Sequence, residues 1–570
     1  MDLTPMLSSA SGYTSTLPTT SARTERCGHR QLKNRAGNRR CPVKPKREIN
    51  AIVKPFARGD LGVAVAYPSV YEAAVKSLSV QMLYFYLNSL EGVYAERFVV
   101  QNLRGSEPPA RSLESGRPLR DFWLILFSVH YEPDYVNIVR LLAAGGVSPL
   151  AREREQVVVV GGPPVIANPE PLSEIADVLV VGEIESTVPK LVEGAFEHAG
   201  DKRALLDELR AEEGFYVPSR GDERVRFSHP PTLPLEFHPA AQVQPEDGEW
   251  RRTTMIEVSR GCWRGCRFCM EGHIFLPKRD RPLEDVLTLA ERGSRANLSR
   301  HLTLISLSLL DHPRIDELLG RLVESGYEFS APSLRLEALT DERLELLGRS
   351  GQRTLVLAPE TASLRLAKAI GKPLLKDRLL EVAAKARKVG FKALKLYFMV
   401  GLPGESEEDV RGIAQLVKEV AEFSGFKGGR ELKLSVSVFV PKPQTPMQWF
   451  GMEEPERVAR KLRLLERELG GLAEVRPYKP AWARVQCALS RGGKEMTRVL
   501  LEWAAAGGGL GGWRRAVRAV NLDVEKYVAP LDPESEHPWS KVELPASRGL
   551  RPGYVACLEH LAGGAGERHA

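Results

Sequence analysis

Three cysteines stand within eight residues of this 570-residue chain, Cys262, Cys266 and Cys269, in the stretch VSRGCWRGCRFCMEGH. The chain contains only seven cysteines in all, so composition does not explain the cluster. Thiolates bind zinc and iron–sulfur clusters, and both kinds of site normally take four protein ligands. His273 is near enough to complete a zinc site, which stays open as an alternative. Three thiolates on an iron–sulfur cube would instead leave one iron free for a bound cofactor.

The elements around the cysteines predict where this site lies. The cysteines follow the short strand MIEVS, and Gly261 and Gly265 are expected to let the loop bend tightly. Between residues 251 and 450 a strand-then-helix pattern repeats about six times. The third candidate strand in this series is APSLRLEAL, residues 331–339. The repeat predicts a partial (β/α)6 barrel whose site is built from the loops after the strands, although periodicity alone also allows a flat sheet.

The cysteine motif resembles that of the radical S-adenosylmethionine (SAM) superfamily, C-x3-C-x-aromatic-C after the first strand of a six-unit partial barrel. Phe268 occupies the aromatic position. The resemblance implies a [4Fe–4S] cluster on Cys262, Cys266 and Cys269, with SAM chelating the fourth iron. It also implies an enzyme that cleaves SAM reductively to a 5′-deoxyadenosyl radical and acts on an unknown substrate. A reductant such as a flavodoxin or ferredoxin would be its partner.

A narrower resemblance covers nearly everything from Arg47 onward. Segments such as GGPPVIANPEPL, LVLAPETAS, KLYFMVGLPGESEEDV and FVPKPQTPMQW are similar to a largely uncharacterised radical SAM family with an N-terminal cobalamin-binding-like domain and a small C-terminal domain. The resemblance implies that Glu360, in APE, binds polar atoms of SAM. It implies that Gly401 and Gly404, in GLPGE, allow close backbone approach. The alternative is that all three are turn residues at strand ends.

The rest of the chain is expected to be α/β as well. Continuous apolar runs between residues 49 and 200 are typical of parallel strands covered on both faces, which predicts a Rossmann-like doubly wound sheet. We assign residues 1–48 to a disordered basic tail, 201–250 to a connector, 251–450 to the barrel and 451–570 to a small α+β accessory domain.

Whether the first domain binds cobalamin decides between two functions. Cobalamin domains of this fold often carry D-x-H-x-x-G, and no such motif occurs between Arg47 and Asp201. His130 follows a strand without the partner spacing, so we expect a buried structural histidine. The glycines of GGPP, Gly161–Pro164, either cradle part of a large cofactor or end a strand. Cobalamin can also bind without a histidine ligand, so a cobalamin-dependent radical SAM methyltransferase stays the alternative function.

The sequence argues against two other functional classes. A tRNA-modifying methylthiotransferase would need a second cysteine trio in the N-terminal domain, and residues 42–261 contain no cysteine, which excludes that version. A non-enzymatic iron–sulfur redox module would ligate a cluster without cleaving SAM, which a barrel with cofactor-type loops disfavours. Cys487 and Cys557 are far apart in sequence and are expected to pack as small apolar residues.

Charge and hydropathy limit the partners. The formal net charge of +7 comes entirely from residues 1–48, and the remaining residues carry 70 charges of each sign. A folded body without net charge does not indicate a nucleic-acid partner. No apolar run approaches the ~20 residues that cross a bilayer, and the uneven cysteines do not form a disulfide framework. We therefore expect a cytoplasmic protein without a membrane partner.

Overall fold

The computed structural model of the chain describes residues 47–55, 57–221, 223–246, 251–332 and 334–563. Residues 1–46, nearly all of the predicted basic tail, lie outside the described residues. Glu48, at the end of that tail, forms a buried ion pair of 2.6 Å with Arg97. This pair attaches the segment to the first domain.

The first part of the chain contains nine strands and six helices within residues 47–246. They are β1 (Glu48–Ile49), β2 (Leu61–Tyr67), β3 (Val93–Val99), β4 (Leu124–Ser128), β5 (Val157–Gly161), β6 (Val178–Val180), β7 (Phe215–Tyr216), β8 (Val225–Arg226), β9 (Gln244–Pro245), α1 (Tyr71–Ala74), α2 (Leu78–Ser89), α3 (Tyr135–Ala144), α4 (Pro163–Ala167), α5 (Ile184–Glu197) and α6 (Lys202–Ala211).

Six of these strands form the predicted doubly wound sheet. Their order is β3-β2-β4-β5-β6-β7, with β7 antiparallel at one edge and the others parallel. Apolar clusters cover both faces of the sheet, which explains the continuous apolar runs. The strand order reverses between β2 and β4, so the crevice of the sheet opens at the carboxyl ends of these two strands.

The second part of the chain is built from parallel strands followed by helices. Its elements are β10 (Thr254–Glu257), β11 (Ser259–Arg260), β12 (Arg279–Asp280), β13 (His301–Ile305), β14 (Glu328–Ser330), β15 (Thr354–Glu360), β16 (Ala393–Val400), β17 (Leu432–Val438), β18 (Glu474–Pro477), α7 (Met270–Ile274), α8 (Leu283–Ala296), α9 (Ile315–Glu324), α10 (Asp341–Arg349), α11 (Leu364–Ile370), α12 (Lys376–Lys388), α13 (Glu407–Ser424) and α14 (Pro455–Glu468).

These strands form an open barrel. One parallel sheet has the order β10-β13-β14 and the next has the order β15-β16-β17-β18. A single apolar core runs behind both sheets and under the surrounding helices. The six predicted strand–helix units are therefore confirmed, and within the described residues the barrel is not closed.

The third strand of the barrel differs from the prediction. It is β14, Glu328–Ser330, and the described residues of the predicted segment 331–339 form a loop and a short 3-10 turn, Leu336–Ala338, instead. Pro332 has no N–H to donate to a strand ladder, which is the physical reason for the early end. Arg335 consequently lies in a loop at the carboxyl end of β14 rather than inside a strand.

The last part of the chain packs on both earlier parts. It contains α15 (Pro480–Arg491), α16 (Met496–Ala505), α17 (Gly509–Val520), α18 (Glu525–Val528), β19 (Val542–Glu543) and α19 (Leu550–Gly563). Helices α15–α17 join the apolar core of the first sheet, while α19 packs against α11 of the barrel. Strand β18 and helix α14 lie beyond residue 450 and extend the barrel. The domain limits given above stay predictions.

Among the described helices, none has both the length and the apolar character that a membrane span requires.

Candidate metal centre and its surroundings

The three cysteines lie on one loop at the carboxyl end of β10, between β11 and α7. Cys262 and Cys266 are buried and Cys269 is half-buried, and all three are free thiols. Gly261 has a φ of +82°, and a Cβ atom there would lie 2.3 Å from the carbonyl oxygen of Phe275. Gly265 also has a positive φ. Both glycines are therefore required by the tight path of the loop, as predicted.

In this structure the three Sγ atoms of the cysteine loop are not all within 4.8 Å of one another. Two thiolates on one zinc ion lie at most about 4.6 Å apart, twice the Zn–S bond length. Within the described part of the chain, only Glu197, His198 and Glu208 bring three metal-ligating atoms within 4.8 Å of one another, and these residues lie at the end of α5 and in α6. A cube binds each thiolate at a different iron, so wider spacing fits it.

His273 lies in α7 next to the cysteine loop. It is buried, and its Nδ1 lies 2.8 Å from the carbonyl oxygen of Cys269. This contact leaves Nε2 as the ring nitrogen that could bind a metal, so zinc stays the alternative prediction. The donor set of the loop is three thiols, which fits a cluster with one iron left open.

The Cys269 thiol is protonated until a metal binds. Burial, together with the neighbouring Cys266 and Glu271, raises its pKa to about 12. Metal binding must release protons from such groups. One cation contacts the thiols directly, because Nη1 of Arg335 donates to Sγ of Cys266 at 3.4 Å. Arg335 is not predicted as a site residue from the sequence, because it falls within the predicted third strand, residues 331–339.

Phe268, predicted at the cofactor pocket, is a half-buried residue of the cysteine loop. Its ring packs against an apolar cluster that includes Leu366 and Ile370 of α11, Leu402 after β16 and Phe439 after β17. Cys557 of α19 is fully buried in the same cluster, as expected for a small apolar residue. The structure thus brings the aromatic position of the motif to the ends of the fourth, fifth and sixth barrel strands.

Glu360 lies at the end of β15 in a strained backbone conformation. Its φ is +68°, a left-handed value that costs a non-glycine residue roughly 1–3 kcal/mol. Its carboxylate accepts a hydrogen bond of 2.8 Å from Nζ of Lys372, and both side chains are largely buried. Strained residues that persist at a strand end commonly serve a site, so the position is consistent with the predicted role.

Gly401 and Gly404 form a turn that is fixed from within. Both have positive φ values, and the N–H of Gly401 donates to Oε2 of Glu405 at 2.7 Å. Lys461 of α14 donates to the same carboxylate and to Glu453. Burial raises the pKa of Glu405 to about 7, against the opposing effect of Lys461. Glu405 and Lys461 are not predicted as site residues from the sequence, although Glu405 is the last residue of GLPGE.

The carboxyl edge of the first sheet holds His130 in an enclosed polar pocket. Its Nε2 lies 2.9 Å from the hydroxyl of Ser79 and 3.3 Å from that of Ser128. Burial lowers the pKa of His130 to about 4, so the ring is neutral. These contacts support the interpretation of His130 as a structural histidine. At the neighbouring GGPP, Gly162 has a φ of +128°, and a Cβ atom there would lie 1.9 Å from the carbonyl oxygen of Val129.

The first sheet and the barrel meet at their carboxyl edges. Glu132, after β4, forms a buried ion pair with Lys442, after β17. The hydroxyls of Tyr131 and Tyr478 are in contact across the same boundary. Ahead of the cysteines, Arg260 pairs with a buried carboxylate at the amino end of α5. The cysteine loop is thus joined to the first sheet by polar contacts that span long sequence separations.

Two family models match the chain. The model described as radical SAM proteins, N-terminal, matches residues 79–218, and that of the radical SAM superfamily matches residues 256–417.

An uncharacterised protein of Methanocaldococcus jannaschii is 29% identical over 443 residues, 77% of this chain and 90% of that protein. An uncharacterised methyltransferase of Pyrococcus horikoshii is 24% identical over 302 residues, 51% of this chain and 65% of that protein. Among solved structures, the cobalamin-dependent SAM radical enzyme OxsB is 14% identical with a TM-score of 0.48, covering 89% of this chain and 80% of that chain.

Proposed function

The chain belongs to the radical SAM superfamily, and we propose that Cys262, Cys266 and Cys269 are the ligands of its [4Fe–4S] cluster. Members of this superfamily are enzymes that use such a cluster with SAM. When bound, the cluster supplies the electron that cleaves SAM to a 5′-deoxyadenosyl radical. The observation that carries the assignment is the loop itself, which places three buried or half-buried thiols together at the carboxyl end of the first barrel strand.

The barrel residues at the same edge would hold SAM. We assign Phe268 to the wall of the cofactor pocket, because its ring faces the cluster of apolar residues at the strand ends. Glu360 would share its carboxylate between Lys372 and a polar group of SAM. Gly401 and Gly404 give the backbone path after the fifth strand, and Glu405 fixes that path from within.

A cobalamin-dependent methyltransferase is the second candidate function. The observation in its favour is that the carboxyl edge of the first sheet faces the barrel mouth, with Tyr131 and Glu132 touching Tyr478 and Lys442. A relative named as a methyltransferase agrees with this candidate. His130 is enclosed by serine hydroxyls, so cobalamin in this protein would bind without it.

We also propose a cytosolic location and a small acidic electron carrier, a flavodoxin or a ferredoxin, as the reductant. The superfamily depends on reduction of its cluster, and an enzyme with three exchangeable thiols is suited to a reducing compartment. The balanced charge of residues 49–570 gives no support for nucleic acid as the substrate.

Measurement of SAM cleavage tests the proposal. The protein is reconstituted anaerobically with iron and sulfide, reduced with dithionite and assayed for 5′-deoxyadenosine by chromatography. We expect wild type to form it, and Cys262→Ala, Cys266→Ala and Cys269→Ala to lose both the iron and the product. Cys487→Ala is the matched control, because Cys487 is buried in α15 away from the loop. Product formation by any of the three loop variants at the wild-type rate would refute the ligand assignment.

A further inference from the structure

Arg335 makes a charged contact with the cysteine loop from outside the barrel strands. Its Nη1 donates to Sγ of Cys266 at 3.4 Å, and its Nη2 donates to Oε1 of Glu337 at 2.6 Å. The arginine side chain is 12% exposed and that of Glu337 is 21% exposed. The guanidinium therefore stands between a buried cluster ligand and a carboxylate close to solvent.

This geometry has a direct consequence for a bound cluster. Hydrogen bonds to the sulfurs, net charge and solvent exposure set the reduction potential of an iron–sulfur cluster. Reduction adds one electron, which makes the site more negative by one unit, while an arginine keeps its positive charge throughout. A charged donor on Cys266 stabilises the reduced form more than the oxidised form.

We propose that Arg335 sets the reduction potential of the cluster through Cys266, and that Glu337 moderates this effect. The inference rests on the proposed ligation of the cluster by the three cysteines. It assigns opposite effects to the two side chains: the cation of Arg335 raises the potential, and the anion of Glu337 lowers it. Arg335 acts through a ligand and is a positioning residue, not a catalytic one.

The contacts of Arg335 argue against a purely structural role. Its Nε is buried and has no hydrogen-bond partner among the described residues. Arg154, which donates to the backbone carbonyls of Ser148 and Pro149, also leaves its Nε without a partner, so it is the nature of its partners that distinguishes Arg335. The side-chain partners of Arg335 are a thiol and a carboxylate, which points to an electrostatic role at the cluster.

The sign of the potential shift tests this inference. Arg335→Gln removes the cation, so the midpoint potential of the reconstituted, SAM-free protein is expected to fall. Glu337→Gln removes the anion and leaves the cation of Arg335 unopposed, so the midpoint potential is expected to rise. Both are measured by redox titration followed by electron paramagnetic resonance of the reduced cluster. A role in packing alone would not shift the two variants in opposite directions.

Lys388→Gln is the matched control for loss of one positive charge. Lys388 is exposed at the last residue of α12, which starts near the barrel mouth at Lys376. The helix has 13 residues, so Lys388 lies about 20 Å from Lys376 along the helix axis. The Lys388→Gln protein is expected to keep the wild-type potential.

The outcomes separate this inference from the proposed function. If wild type binds no cluster, the proposed function fails and the inference fails with it. If wild type binds a cluster and both variants titrate at the wild-type potential, only the inference is overturned. Weaker SAM binding by Arg335→Gln at an unchanged SAM-free potential would also overturn it and assign Arg335 to SAM instead. If Arg335→Gln loses the cluster, Glu337→Gln decides: a higher potential supports the inference, and an unchanged or lower potential overturns it.

Discussion

The guanidinium of Arg260 lies 2.7 Å from the carboxylate of Glu183, and this ion pair joins the segment just before the first cysteine to the first sheet. Arg260 also pairs with Glu185 and Glu257, and Glu183 also pairs with Arg279. All of these side chains are buried or nearly so. The position of the cysteine loop therefore depends on charges contributed by a different part of the chain.

Glu183→Gln is expected to destabilise the protein strongly. Loss of one partner leaves buried arginines without full compensation, which costs about 3–5 kcal/mol. The change is measured as a lower midpoint of thermal unfolding under anaerobic conditions. Glu213→Gln is the control, because Glu213 pairs with Arg226 on the surface and exposed pairs contribute about 0–1 kcal/mol. Equal midpoints for the two variants would show that the buried ion cluster does not hold the two parts together.

Gly162→Ala is expected to cost far more stability than Gly221→Ala. The two glycines have nearly the same φ, +128° and +130°, so alanine suffers the same backbone strain at both. That strain costs about 1–3 kcal/mol. At Gly162 a Cβ atom also meets the carbonyl oxygen of Val129 at 1.9 Å, whereas nothing lies within 4 Å at Gly221. Urea denaturation of both variants measures the difference, and similar midpoints would contradict the close packing of the GGPP turn.

Glu360→Gly and Glu360→Ala separate the backbone strain from the carboxylate. Both variants lose the carboxylate, so both are expected to bind SAM more weakly than wild type, by a similar factor. Only glycine adopts a φ of +68° without strain, so the glycine variant is expected to be the more stable by about 1 kcal/mol. Isothermal titration with SAM and thermal unfolding give the two readouts. Wild-type affinity in both variants would remove Glu360 from the cofactor site.

His130 gives a pH dependence with a definite sign. Burial lowers its pKa from about 6.5 to about 4, so the unfolded chain takes up a proton first as the pH falls. The stabilising contribution of neutral His130 is therefore present above about pH 6.5 and is lost between about pH 6.5 and 4. The loss amounts to about 3 kcal/mol over this range.

His130→Asn removes this titration and is expected to lose less stability on acidification than wild type. Denaturant unfolding at a series of pH values between about 4 and 7 measures the difference between the two proteins. If wild type and His130→Asn lose stability in parallel over this range, His130 is open to solvent, and the enclosed pocket at the sheet edge is wrong.

The sequence predicts the features of this protein that are local. Cys262, Cys266, Cys269 and the two loop glycines stand in one short segment, so their spacing alone defines the motif. The doubly wound sheet and the open barrel follow from apolar runs and helical periodicity, which each strand and helix carries by itself. Phe268, Glu360, Gly401 and Gly404 are brought to the same edge because parallel strands end at one side of a sheet.

Contacts between distant segments could not be predicted in the same way. Arg335 and Cys266 are 69 residues apart, and Arg260 and Glu183 are 77 residues apart. A charged residue in a helix or loop has the same sequence signature whether it faces solvent or a buried partner. Lys461, on the amphipathic helix α14, is one such residue. The sequence predicts a strand over residues 331–339, whereas β14 ends at Ser330. The apolar residues that follow Pro332 suit a strand and also a loop that packs its leucines inward.

The most direct test of the proposed metal centre is the metal content of the reconstituted protein. The chain is produced with cobalamin available, reconstituted anaerobically with iron and sulfide, desalted and analysed for iron and cobalt. We predict about four irons per chain, bound by Cys262, Cys266 and Cys269. About one cobalt in addition would favour methyl transfer over other SAM-radical chemistry. Iron near zero after competent reconstitution would contradict the cluster and the function built on it.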